Sequence, residues 1–223
     1  MNQEQALSLL KETKLVAILR GIPVKQATDI ATALYDGGVR VLEFTFDHDD
    51  PDCVAHNCQR IRAVKKIFGD EMVVGCGTAL TVQEVEASVE AGGQIVISPN
   101  VDVSVIAKTK ALGAISMPGA LTPTEIVMAY NARADIVKLF PAGTLGVPYI
   151  KAVRGPLGYI PMSAVGGVRP ETIADFLNVG VCGFGVGGEL VKKEFVRSGD
   201  MNALTSRARK FVHAIEQWEA NRS

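Results

Sequence analysis

A chain of 223 residues with a formal net charge of -1 and only 6% aromatic residues has neither the basic surface nor the aromatic-basic interleaving that nucleic acid requires. Its hydrophobic content of 48% is mostly aliphatic, the composition of a buried parallel sheet. The length suits one large α/β unit and no proline-rich linker or charge block divides it, so residues 1–223 read as a single domain.

In chain order, Met1 to Leu15 reads as a polar amphipathic helix without a cationic start or an unbroken apolar run. It is expected to be neither signal nor anchor, and no membrane partner is expected. Short β-branched runs then alternate with helical patterns. Strands are expected at Leu15–Leu19, Val41–Thr45, Met72–Gly75, Ile95–Ile97, Ala114–Met117, Ile136–Phe140, Ile160–Ala164 and Cys182–Val186. Helices are expected at Val24–Tyr35, Asp52–Phe68, Val82–Ala91, Val103–Leu112, Thr124–Tyr130, Pro148–Val153, Glu171–Val179 and Met201–Glu219. Eight of each, behind an N-terminal helix, match a (β/α)8 TIM barrel. The rival doubly wound sheet would gain support from a G-x-G-x-x-G turn after an early strand, which the chain lacks.

Boundary residues agree with this drawing. Asp50 before Pro51 and Thr122 before Pro123, the latter followed by Glu125, are expected helix caps, and Gly38, Gly92, Gly113 and Gly180 stand where helices should terminate. The four cysteines, at 53, 58, 76 and 182, have no C-x-x-C spacing and read as free thiols of a cytoplasmic protein. Asp47-His48-Asp49-Asp50, with Asp52 and His56, could hold a divalent ion, but a solvated loop that caps the second helix is the simpler reading, and no metal or other cofactor is expected.

Lys138 lies within the apolar run Ile136-Val137-Lys138-Leu139-Phe140. Burial disfavours the ammonium and favours a neutral amine that can attack a ketone; the alternative is a lysine whose stem covers apolar surface while its head reaches water. Barrel chemistry belongs at the carboxyl ends of the strands. There stand Arg20, Glu43 with Thr45, Gly75-Cys76-Gly77-Thr78, Ser98-Pro99-Asn100, Pro118-Gly119, Lys138, Gly166-Gly167 and Gly187-Gly188. Alternation places Glu43 and Thr45 on one face, and Ile136, Lys138 and Phe140 on one face of their strand.

In order and on matching strands, Val16-Ala17-Ile18-Leu19-Arg20, Gly37 to Thr45, Gly75-Cys76-Gly77-Thr78, Ile97-Ser98-Pro99, Pro118-Gly119 with Thr122-Pro123-Thr124-Glu125, Val137 to Ala142 and Gly166-Gly167-Val168 form one set. The set resembles the 2-keto-3-deoxy-6-phosphogluconate / 4-hydroxy-2-oxoglutarate aldolase family, class I enzymes on a (β/α)8 barrel, usually trimeric. The resemblance implies a small keto-acid substrate cleaved to pyruvate and an aldehyde, with Lys138 forming the imine and Glu43 moving protons. It further implies substrate contacts at Thr78, Pro99 and Phe140, close ligand approach at Gly75 and Gly77, and phosphate recognition by Gly166, Gly167, Gly187 and Gly188. One branch of the family has an arginine where this chain has Asp47; another has it directly after the first strand, which points to Arg20 as the carboxylate partner. Two further departures stand at the phosphate end. Val165 replaces a frequent threonine and Glu189 a frequent serine or asparagine, so a terminal phosphate is expected to be met with repulsion unless Glu189 is turned away or compensated. A metal-dependent pyruvate aldolase and an inert sugar-acid-binding barrel are the alternatives.

Overall fold

The computed structural model describes residues 1–222. Its strand segments are β1 (Leu15–Leu19), β2 (Val41–Thr45), β3 (Val73–Gly77), β4 (Ile95–Ile97), β5 (Ile115–Met117), β6 (Gly119–Ala120), β7 (Val137–Leu139), β8 (Met162–Val165) and β9 (Gly183–Val186). They form one sheet in the order β5-β4-β3-β2-β1-β9-β8-β7-β6, parallel at every pairing. β5 and β6 are two pieces of a single barrel strand parted at Pro118, which has no N–H for a ladder. The Pro118 carbonyl nevertheless accepts from Lys138 N at 2.9 Å, and the Met117 carbonyl accepts from Ser98 N at 3.3 Å. Nine segments therefore make an eight-stave closed barrel.

The helices are α1 (Gln3–Thr13), α2 (Ala27–Asp36), α3 (Cys53–Phe68), α4 (Val82–Glu90), α5 (Val103–Ala111), α6 (Pro123–Asn131), α7 (Ala142–Leu157), α8 (Ile173–Asn178), α9 (Lys193–Ser198) and α10 (Met201–Ala220). Thr122 and Glu125 form a reciprocal capping box on α6. The four terminating glycines, Gly38, Gly92, Gly113 and Gly180, have φ of 93°, 99°, 73° and 90°, the region an L side chain resists. Asp50 is not the cap of α3, which starts after Asp52 without a side-chain bond. Asp50 instead accepts from Asp52 N at 3.0 Å and pairs with His56 Nδ1 at 2.7 Å. Its pKa is lowered, first by the His56 bond and then by the Asp52 amide. The expected Pro148–Val153 helix is the middle of α7, which bends at Gly146 (φ 73°, ψ 171°) before Pro148. α9, unforeseen, spans only 6 residues, too few to show periodicity. Among the described residues no helix is long and apolar enough to cross a membrane.

Alternation decides what fills the barrel. Leu42, Phe44, Ala17, Leu19, Val137 and Leu139 face outward into the main core beneath the helices. Val16, Val41, Val73, Ile95, Ile115 and Ile136 face inward, where Ala6 and Leu10 of α1 pack against them. α1 thus plugs the amino-terminal end of the barrel, held by an Asn2/Gln5 capping box and by Leu10, 4% exposed. Burying a leucine of this kind is worth about 1.5–3 kcal/mol. With the lower lumen closed by aliphatic side chains, polar inward positions remain only toward the carboxyl ends of the strands.

Candidate active site

At that end the barrel opens into a cavity of about 670 Å³, within the common range of ligand pockets, about 300–1,000 Å³. Lys138 projects into it from β7 and is 8% exposed. Its Nζ lies 5.0 Å from the centroid of the Phe140 ring, and among the described residues it forms no ion pair. Burial lowers the Lys138 pKa; Glu43 opposes that shift, and Arg20 adds to it. A low-pKa lysine reaches the neutral, nucleophilic form at a pH where a solvated lysine stays an ammonium.

Glu43, on β2, is 1% exposed. Burial raises its carboxyl pKa from 4.5 to about 7, against the opposing attraction of Lys138 and Arg20. Its Oε2 is buried without a hydrogen-bond partner among the described residues. A carboxyl that titrates near neutrality, beside an amine it does not bind, can both give and accept protons. An Asn57 Nδ2–H bond to the Phe44 carbonyl, 2.9 Å long and buried outside the barrel, fixes the backbone that carries it.

The glycines of β3 serve a different purpose from close ligand approach. A Cβ on Gly77 would lie 1.6 Å from Glu43 Oε2, and one on Gly75 would lie 1.8 Å from the Ile95 carbonyl oxygen. Gly77 is the recess in which the Glu43 carboxyl rests, and Gly75 lets β3 and β4 close. Gly77→Ala should therefore lower kcat by about 100-fold through displacement of that carboxyl, with an altered pH dependence of kcat. Full kcat with the parental profile would show that the carboxyl is seated elsewhere.

Thr78 follows with φ 59°, a conformation unusual for a β-branched residue. It lines the cavity, as do Arg20, Pro99 and Phe140. Arg20 forms no ion pair with the acidic loop among the described residues. The backbone at Gly166 (φ 91°) and Gly167 (φ 71°) turns into the cavity wall, joined by Gly187 and Gly188. Apart from Gly75 and Gly77, every residue expected at the site thus lines this one cavity. Thr45, expected at this mouth but given no role, also lines it, as do Ile18, Val168 and Lys193, which were given no place in the site. Thr45 had a usable signal, the face it shares with Glu43, whereas Lys193 sits on the short helix that periodicity could not show.

Glu189 is compensated: Arg207 Nη2 stands 3.5 Å from its Oε2, and Arg207 Nε donates to its carbonyl at 2.8 Å. The repulsion expected from Glu189 is accordingly offset. Val165, 2% exposed, remains an apolar wall without a donor. In the acidic loop the histidines are engaged separately, His48 Nε2 with Glu84 Oε1 at 2.8 Å and His56 with Asp50. Among the described residues no three His, Cys, Asp or Glu side chains are grouped to hold a metal ion.

A buried amine and a near-neutral carboxyl facing one another at the carboxyl mouth of a (β/α)8 barrel define a site for carbonyl chemistry through a covalent amine adduct. The chain belongs to the KDPG and KHG aldolase family, whose model matches residues 7–207. It is 36% identical over 182 residues to a probable 2-dehydro-3-deoxy-6-phosphogalactonate aldolase of Rhizobium meliloti, covering 81% of this chain and 83% of the relative. It is 32% identical over 216 residues to the KHG/KDPG aldolase of Escherichia coli, covering 95% and 96%. A solved structure of a native KDPGal protein superposes with a TM-score of 0.83 at 32% identity, over 92% of this chain and 96% of that one.

Proposed function

We infer that this protein is a class I aldolase that cleaves a phosphorylated 2-keto-3-deoxy sugar acid to pyruvate and an aldehyde, through an imine on Lys138. The single observation that carries the reading is a buried Lys138, without an ion pair among the described residues, beside Glu43 in the barrel mouth. Neutral Lys138 adds to the C2 ketone, and Glu43 protonates the departing hydroxyl of the carbinolamine, which leaves as water. The protonated imine then accepts the electron pair of the C3–C4 bond while Glu43 takes the proton from the C4 hydroxyl. The aldehyde departs, the enamine is protonated at C3, and hydrolysis of the imine returns pyruvate and free Lys138. In this reading Arg20 and Thr78 hold the pyruvyl carboxylate, beside Pro99 and Phe140, a reading supported by their shared position on the cavity wall. Gly166, Gly167, Gly187 and Gly188 can present backbone amides to the other end of the substrate.

The 36% identity to a phosphogalactonate enzyme favours the galactonate-derived substrate over its C4 epimer. A pyruvate-release assay on both epimers, with and without the terminal phosphate, tests this. Fastest release from the phosphorylated galactonate derivative is expected, and no release from any of the four would contradict the reading.

One barrel supplies every lining residue, so we read the chain as one domain, working in the cytoplasm without metal or other cofactor. A homotrimer, as the resemblance implies, is supported by exposed Leu121, Met128, Tyr130 and Tyr159 around α6, with the two tyrosine rings 5.4 Å apart edge to face. Light scattering on purified protein should return three times the chain mass of 23.7 kDa.

A further inference from the structure

The rim of the cavity beyond β9 carries both paired and unpaired charges. Glu189 and Lys193 both line it. Arg207 reaches Glu189 from α10, outside the barrel, and grips both its carbonyl and its carboxylate. Its side chain is only 18% exposed and lies over the Phe211 ring at 5.0 Å, so the guanidinium is held in place from behind. Of the two lysines that follow, Lys192 is committed to Glu194 at 3.6 Å and to the face of Phe195. Lys193 forms no ion pair among the described residues. Glu43, the other acid lining the cavity, is buried on β2. With Glu189 neutralised, the uncommitted charge at this rim is positive.

We propose that Arg207 and Lys193 together set the preference for a terminal phosphate. Arg207 cancels and tethers the carboxylate of Glu189, and Lys193 presents a mobile cation to the phosphate dianion. The inference rests on the phosphorylated substrate proposed above and names the side chains that discriminate it. Both groups are partly solvated, so their effect weakens as salt screens it.

The test is the ratio of kcat/KM for 2-keto-3-deoxy-6-phosphogalactonate to that for 2-keto-3-deoxygalactonate. Lys193→Met should lower this ratio about tenfold at low salt, and Lys193→Glu should lower it further. Arg207→Met should lower it by a similar factor, and adding Glu189→Gln to Arg207→Met should restore it. A high ratio in the parent that Lys193→Met and Lys193→Glu leave unaltered would overturn the proposal while sparing the phosphorylated substrate. A parental ratio near one would remove the phosphorylated substrate itself, and this proposal with it. Loss in Arg207→Met that Glu189→Gln does not repair would assign Arg207 a packing role and overturn its part in discrimination. Where Arg207→Met does not fold, the two Lys193 variants decide the outcome.

Discussion

Replacing Lys138 with alanine should abolish aldol cleavage, by about 10⁴-fold or more, because a covalent pathway loses its only nucleophile. Lys138→Arg should be equally inactive. Arginine preserves the positive charge and much of the stem, but its guanidinium does not become a neutral amine in the accessible pH range. The two variants together separate electrostatic binding of a keto acid from imine formation. Lys138→Cys, inactive alone, should recover part of the lost rate after aminoethylation, which rebuilds an amine at nearly the same reach. Circular dichroism should show all three folded, since Lys138 forms no ion pair among the described residues that its replacement would break. Retention of more than about a tenth of parental kcat in Lys138→Arg would mean that charge, not covalency, carries the rate.

Glu43→Gln should reduce kcat by about 100- to 10,000-fold, the range for loss of a positioned general acid/base, and should at the same time stabilise the fold at alkaline pH. Burial raises the Glu43 pKa from 4.5 to about 7. Between those two values the folded chain holds a proton that the unfolded chain has released, so folding is progressively disfavoured as pH rises. The contribution is intact below pH about 4.5 and gone above pH about 7, a difference of about 3 kcal/mol. Glutamine cannot ionise. Glu43→Gln should therefore melt at about the parental temperature at pH 4.5 and several degrees higher at pH 8. Scanning calorimetry at the two values checks this, and a difference in melting temperature that is the same at both would show that Glu43 does not titrate in this range.

The site was legible where it follows from strand alternation. Glu43, Thr45, Lys138 and Phe140 lie at inward positions on β2 and at the end of β7, and a period of two is enough to align them. Residues that act by packing across distant segments were not legible. Gly77 looks like a ligand-approach glycine until the Glu43 carboxyl is seen to occupy the space of its missing side chain. Glu189 looks repulsive until α10 brings Arg207 against it. The fold shows the same division. Strand positions were recovered because apolar runs mark them, whereas the break at Pro118 that makes β5 and β6 from one strand depends on what its neighbours bond to. Met72 to Gly75 stops short because β3 continues through Gly75-Cys76-Gly77, a glycine-rich stretch of low strand propensity held by its pairing with β2.

The most direct test of the account is borohydride reduction of the parent enzyme in the presence of pyruvate, followed by peptide mapping. One reduced pyruvyl group per chain, located on Lys138, is the predicted result; no covalent adduct, or an adduct confined to lysines of the outer helices such as Lys108 on α5, would contradict imine formation at the barrel mouth.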